Sequence, residues 1–320
     1  MAIPTKEEVK GIFRIGPLKT GRPTASTSPF LVVGKDRAMV LEPGEDGQVA
    51  QLVEAIKQCG VGLDKVEYLW ASHIHLHHIQ GLPWLLKELP KAKFLVHPRG
   101  AQHVVQPERL IESTLQVWGD KCYGPFAGIP RDRVTAVEDN QIIDLGGHEL
   151  QIIFSPGHAP HHMGLFDKPS RALFPGDLDT GAGASGAGAT TFLADVHIAS
   201  MQRYLDLNPS MLLTFGRTDP LPAEEVLKGV QVEFLGLEVM YLKCLKEKMS
   251  IDEMAKRTRE FREWIGQERW TPVGPGLQSG TRGERAQGEG VAPHVLSYLK
   301  RKYPELDIPT IGGRRSSQER

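Results

Sequence analysis

Cysteine is scarce in this chain: Cys59, Cys122 and Cys244 are three in 320 residues, odd in number and far apart. That spacing supports neither a disulfide framework nor a thiolate metal site, and it leads to the expectation of a reducing, cytoplasmic compartment. Net charge is nearly absent too, with 38 Lys and Arg against 39 Asp and Glu. So even a balance offers no pull toward nucleic acid or an anionic membrane, and neither is expected as a partner. Aromatic residues make up 7% of the chain, and no stripe of alternating basic and aromatic residues stands out. No apolar run is long enough to cross a bilayer. The opening residues, MAIPTKEEVK, have no apolar stretch like that of a secretory leader.

What the chain does have is a 40% hydrophobic content, enough for a large core, and twelve histidines. Four of the twelve fall within six positions, in Ser72-His73-Ile74-His75-Leu76-His77-His78. Neutral imidazole is the commonest metal ligand near physiological pH. The run follows Val66-Glu67-Tyr68-Leu69-Trp70, which reads as a buried strand. Alternate side chains of an extended segment share a face. His73, His75 and His77 are therefore expected to point into one pocket and Ile74 and Leu76 into the core, with His78 turning with the chain. One or two metal ions fit such an arrangement.

Around this cluster the pattern alternates. Residues 30–33 and 38–41 read as a hairpin about Gly34-Lys35-Asp36-Arg37. Val49, Leu52, Val53 and Ile56 have helical spacing, with Gly60 as a stop. A helix through Trp84-Leu85-Leu86 and strands at 94–96, 142–145 and 150–154 follow. Residues 224–267 carry two helical patterns, the second opening with the capping box Ser250-Ile251-Asp252-Glu253, and residues 294–303 read as a further short helix. The runs 181–189 and 271–293 are too rich in small, flexible or polar residues to be core elements. The expected organisation is an α/β domain over 1–220 and a helical extension over 221–320 that contains the flexible segment 271–293.

Further site residues stand at later strand ends. Ser155-Pro156-Gly157-His158 follows one strand, and Phe174-Pro175-Gly176-Asp177 closes another. Leu212-Leu213-Thr214-Phe215-Gly216 is a third strand and turn. In this order the elements resemble the metallo-β-lactamase superfamily, whose first motif is His-x-His-x-Asp-His, followed by a Pro-Gly-His turn, a Gly-Asp turn and a late histidine. The likeness covers roughly residues 10–220. It implies a four-layer αββα sandwich, a first metal position at His73, His75 and His158, a bridging carboxylate at Asp177, and a ligand of a second ion at His78. Two positions depart from the pattern. His77 stands where the family has aspartate, and Thr214 where it has its last histidine.

The resemblance implies a metal-dependent hydrolase acting on an ester, thioester, lactone, amide or phosphoester, with Asp177 and His77 as the groups that handle protons. Zinc is the expected ion, one firmly held and the second in doubt, and iron or manganese are the other ions weighed. Two other readings stay open: an impaired member kept for binding a ligand or partner, and a mononuclear iron dioxygenase using His73, His158 and Asp177. A small-molecule substrate is expected, specified chiefly by the loop between Glu108 and Arg131 and by the glycine-rich run, and a homodimer is left open. His161 and His162 read as pocket wall, His197 as polar surface, His97 and His103 as a strand-end and a helix-surface residue. Asp219 reads as a turn residue that could stand in for the missing histidine. Trp264 and Trp270 read as packing anchors.

Overall fold

The computed structural model describes residues 2–19, 27–118, 125–178, 193–267 and 292–308. The glycine-rich run at 181–189 and nearly all of the expected flexible segment lie outside the described residues.

Two sheets face one another. The first runs β1 (Thr5–Val9), β2 (Ile12–Ile15), β3 (Phe30–Val33), β4 (Ala38–Leu41), β5 (Val66–Trp70), β6 (Lys93–Val96) and β7 (Val134–Ala136) in spatial order. Pairing is antiparallel from β1 to β4 and parallel from β4 to β7. The second sheet is built from β8 (Ile142–Asp144), β9 (Glu149–Phe154), β10 (Met163–Asp167), β11 (Ala172–Phe174) and β12 (Met211–Leu212), and only β11 and β12 pair in parallel.

The period of two in the strands assigns each side chain to a layer. Phe30, Val32, Met39, Leu41, Trp70 and Leu95 of the first sheet pack against Leu150, Ile152, Met163, Leu165 and Phe174 of the second. Their neighbours Leu31, Val40, Leu69 and Phe94 face the other way, onto helices. Both faces of the central strands are covered, which is why those strands read as unbroken apolar runs. The covering layer on that side is α1 (Val49–Gln58), α2 (Leu76–Ile79), α3 (Leu82–Glu88) and α4 (Pro98–Val105). In α1 the predicted stripe of Val49, Leu52, Val53 and Ile56 is buried against the sheet. Glu108–Trp118 forms a helix, α5, where the sequence suggested a substrate loop. Its positions Leu110, Ile111 and Thr114 recur at helical spacing on the half-buried side.

The fourth layer is α6 (Ala194–Asp206), α7 (Ala223–Lys246), α8 (Ile251–Gln267) and α9 (Ala292–Lys302). These helices share a single apolar core with Ile153, Phe166 and Leu173 on the outer face of the second sheet. The capping box at Ser250 and Glu253 is formed at the start of α8. Buried Glu238 of α7 accepts hydrogen bonds from Tyr298 at 3.2 Å and Tyr303 at 2.8 Å and pairs with Lys302, which fixes α9.

The fit of α6 onto the second sheet is tight at one point. Gly164 of β10 lies under the Tyr204 ring, and a β-carbon there would meet the ring. Tyr204 cannot retreat: it is fully buried, and its hydroxyl donates to Ser155 Oγ at 2.5 Å. Gly164→Ala is expected to cost about 1–3 kcal/mol through overpacking, read as a lowered urea midpoint with an unchanged slope.

Candidate metal centre

The strand ends of both sheets meet at one edge, and each brings a functional side chain. Beyond β5 the chain bends at Ser72 and His73, and Ile74 and Leu76 turn into the core as expected. The expected extended alternation is thus broken, and His75 directly precedes the one-turn helix α2. His77 and His78 are therefore successive helical residues, and both reach the site from that turn.

His73 Nε2, His75 Nδ1 and His158 Nε2 form a triangle with edges of 2.7, 3.0 and 3.1 Å. Such edges are close to the separation of two ligands that each lie about 2.0–2.1 Å from one small cation. Burial first, and the neighbouring imidazoles after it, push His73 and His75 well below the ordinary histidine range. Both rings are thus neutral near pH 7, with nitrogens crowded onto one point, a donor set that fits a cation better than shared protons. His158 follows a turn in which Gly157 has φ +147°, and a β-carbon there would strike the His197 ring at 2.8 Å.

Beside the triangle lies a second group. Asp177 Oδ2 is 3.7 Å from His77 Nε2 and 3.6 Å from His158 Nε2, and Asp177 Oδ1 is 3.5 Å from His78 Nε2. His73, His77, His78 and Asp177 all offer donor atoms within 4.8 Å of one another. Burial opposes the Asp177 charge, but His78 and His77 hold the carboxyl well below the usual carboxylate range. Gly176, at φ +69°, allows this approach, since a β-carbon would press on Ser72 and His162.

Glu42 is the residue that sequence reasoning missed. It ends β4 with a left-handed φ of +54°, and only 3% of it is exposed. Its carboxylate accepts the Ser72 N–H at 3.1 Å and the His78 Nδ1–H at 2.6 Å. That bond directs His78 Nε2 toward Asp177, where it is buried without a hydrogen-bond partner among the described residues. Without an ion that nitrogen holds a proton against the Asp177 carboxylate, and a metal that displaced the proton would meet a buried, already aimed donor. The signal in the sequence was a carboxylate closing an apolar run just before Pro43-Gly44, the same strand-end placement as the other site residues.

The remaining candidates divide clearly. His162 is buried behind Ser155, 2.9 Å from its hydroxyl. His161 lines the wall, its ring 6.4 Å from those of His73 and His75, and burial with His97 and His158 pushes it down to about 4. His97 caps α4 and lies against Phe154. His197, expected at the surface, is buried and stacks on Phe234 at 4.1 Å, because α6 presses that face onto α7. Asp219 does not reach inward: its side chain is 79% exposed and pairs with Lys6. Thr214 lies at the site edge with its hydroxyl buried and without a partner among the described residues. Buried Arg14, also missed, anchors that loop by donating to the Thr214 carbonyl at 3.0 Å and to the Arg217 carbonyl, while pairing with Glu8 at 2.6 Å.

An αββα sandwich with a histidine-and-carboxylate cluster at one sheet edge defines a class of metal-binding proteins. Residues 22–216 match the profile of the metallo-beta-lactamase superfamily, and the chain belongs to it. A metallo-beta-lactamase fold-containing protein of Sulfurisphaera tokodaii is 34% identical over 211 residues, which are 62% of this chain and 76% of that one. The crystal structure of that archaeal superfamily protein aligns with a TM-score of 0.55 at 24% identity, covering 72% of this chain and 86% of the other. The chemotaxis sensor ODP of T. denticola, solved as a peroxy diiron species, aligns at 0.53 and 19% identity over 72% of this chain and 94% of that chain. A hydroxyacylglutathione hydrolase of Francisella tularensis is 24% identical over 200 residues, 62% of this chain and 63% of the hydrolase. This chain spans 54% and 59% of two further curated relatives.

Glu42 and Asp177 overcome the burial penalty on His78 and push it up to about 10. A group raised above its ordinary 6.5 contributes stability that is complete below that value and lost as pH rises through about 10. Thermal melts of chelator-treated protein are therefore expected to fall between pH 7 and 10. Glu42→Gln should flatten that fall, and an equal slope in the variant would contradict the pairing.

Proposed function

We propose that the chain is a metal-dependent hydrolase that directs activated water at an ester, thioester, lactone, amide or phosphoester. The observation that carries this reading is the closed triangle of His73, His75 and His158 nitrogens, the residues that would hold the principal ion. Three imidazoles with an open position suit zinc. Such an ion, when bound, lowers the pKa of water to roughly 7 and polarises a carbonyl or phosphoryl oxygen.

The rest of the chemistry falls to the chain's own groups. Asp177 and His77 have side chains 32% exposed, whereas His73, His78 and His158 are sealed at 2% or less. An incoming substrate therefore meets Asp177, His77 and the half-buried His75. Burial and His78 hold His77 below its ordinary range, so it is neutral near pH 7 and able to accept a proton. Asp177, ionised, accepts a hydrogen bond from the attacking water and orients it. Two relatives named for hydrolysis, the hydroxyacylglutathione hydrolase and an atrochrysone carboxyl ACP thioesterase of Pseudocercospora fijiensis, support the reaction class.

The second position has His77, His78 and Asp177 but lacks the family's two strongest additions. His77 contributes no charge, and a threonine hydroxyl is a poor zinc ligand. We read the second ion as weakly held. A mononuclear iron dioxygenase is the second reading, favoured by His73 and His158 lying 4.0 and 3.6 Å from Asp177 Oδ2 as a two-histidine, one-carboxylate set.

Metal analysis after dialysis is expected to find about one zinc per chain. Two tightly held ions would refute the weak second position, and iron with oxygen consumption would replace hydrolysis with the second reading. Across a panel of ester, lactone, thioester and phosphodiester substrates, Asp177→Asn should lower kcat/KM by roughly 10²–10⁴. The His77→Asp/Thr214→His double variant should gain a second ion. Hydrolysis seen in the double variant alone would mark the natural chain as an impaired enzyme kept for binding.

A further inference from the structure

Helix α7 buries one side on α6, α8 and α9, and none of the described residues covers another. The middle of the bare side is apolar: Val232, Leu235 and Val239 are 43%, 54% and 57% exposed. Steps of three and four residues set them in one stripe. A helix face turned permanently to water is normally polar. The apolar surface extends onto α8, where Phe261 packs against Gly236 and its ring stacks on Trp264 at 6.2 Å. Trp264, expected as a packing anchor, is 53% exposed.

The ends of the same stripe are charged with opposite sign. Glu224 and Glu225 lie in the first turn of α7, and Lys243 and Lys246 in the last. Val232 and Val239 share a midpoint in the sequence with Glu225 and Lys246. That midpoint falls beside Leu235, at the centre of a 24-residue helix about 36 Å long.

We propose that this face is covered by the same face of a second copy of the chain, with the two α7 helices antiparallel about a twofold axis near Leu235. An isologous contact of this kind needs a surface complementary to itself. Antiparallel pairing supplies it: the valines and Leu235 meet at the axis, and Glu225 approaches Lys246 of the partner subunit at both ends. Parallel pairing would set acid against acid. Lys228 and Lys243 also face across the axis, but each is already paired within its helix, to Glu224 at 2.5 Å and to Glu247 at 3.8 Å. Opposed helix dipoles favour the same orientation.

Analytical ultracentrifugation of the full chain tests this. The wild type is expected to sediment at twice the monomer mass at micromolar concentration. Leu235→Glu should weaken the dimer roughly a hundredfold, since a charge then has to be buried at the axis. Leu235→Ser serves as the uncharged control, and circular dichroism confirms that both remain helical. Lys246→Glu and Glu225→Lys should each weaken association roughly tenfold at low salt, and the double reversal should restore it. A monomeric wild type, or a dimer untouched by both Leu235 variants, overturns the proposal. Failure of the double reversal to rescue overturns the antiparallel arrangement.

Discussion

The carboxylate of Glu42 is buried between two groups that would otherwise lack partners, the Ser72 N–H and His78 Nδ1–H. A buried charge is tolerated only when it is paired and hydrogen-bonded. Here the pairing fixes three things at once. It ties β4 to the chain leaving β5, selects the nitrogen that His78 presents, and sets that nitrogen opposite Asp177. Outer groups of this kind commonly orient a metal ligand and raise its basicity. The left-handed backbone at Glu42 is a cost of order 1–3 kcal/mol retained at the site. Hydrogen bonds from Gly44 to the His78 carbonyl and from Gly81 to Gly44 offset it by closing the loop around α2.

The sandwich converts distant segments into one centre because the contributing strands end at the same edge. Residues 73–78, 158 and 177 come from both sheets, and the Met163 N–H to Ser72 carbonyl bond at 2.8 Å joins the two sheets beside the site. The nitrogens of His73, His78 and His158 are sealed on the core side, and the site opens where Asp177, His77 and the half-buried His75 lie. Burial thus has two effects: it keeps His73 and His75 neutral, and it confines approach to the side where Asp177, His77 and His75 lie.

Much of this was legible in the sequence, for definite reasons. A dense histidine run after a strand, and Gly-His or Gly-Asp turns at strand ends, are short-range signals, so His73, His75, His158 and Asp177 stood out as candidates, their roles supplied by the family resemblance, and the amphipathic α1 and the capping box of α8 could be read directly. Glu42 and Arg14 could not, because a charged residue in an apolar run has meaning only once its partner, 36 or 200 residues away, is in place. His197 and Glu238 were hidden in the same way, as their burial depends on how α6, α7 and α9 stack. The boundary near residue 220 follows a change in pattern, yet the helices beyond it complete the core begun by α6 and the second sheet.

That shared core has a mechanical meaning. The turn that carries His158 rests on the His197 ring, and that ring lies flat on Phe234 of α7. Two contacts and one peptide bond therefore run from a helix of the outermost layer to a nitrogen of the triangle. The glycine at the end of that chain has no room for a methyl group beneath the His197 ring. The outermost layer therefore takes part in seating His158, and the packing of α7 is continuous with the packing behind the first metal position.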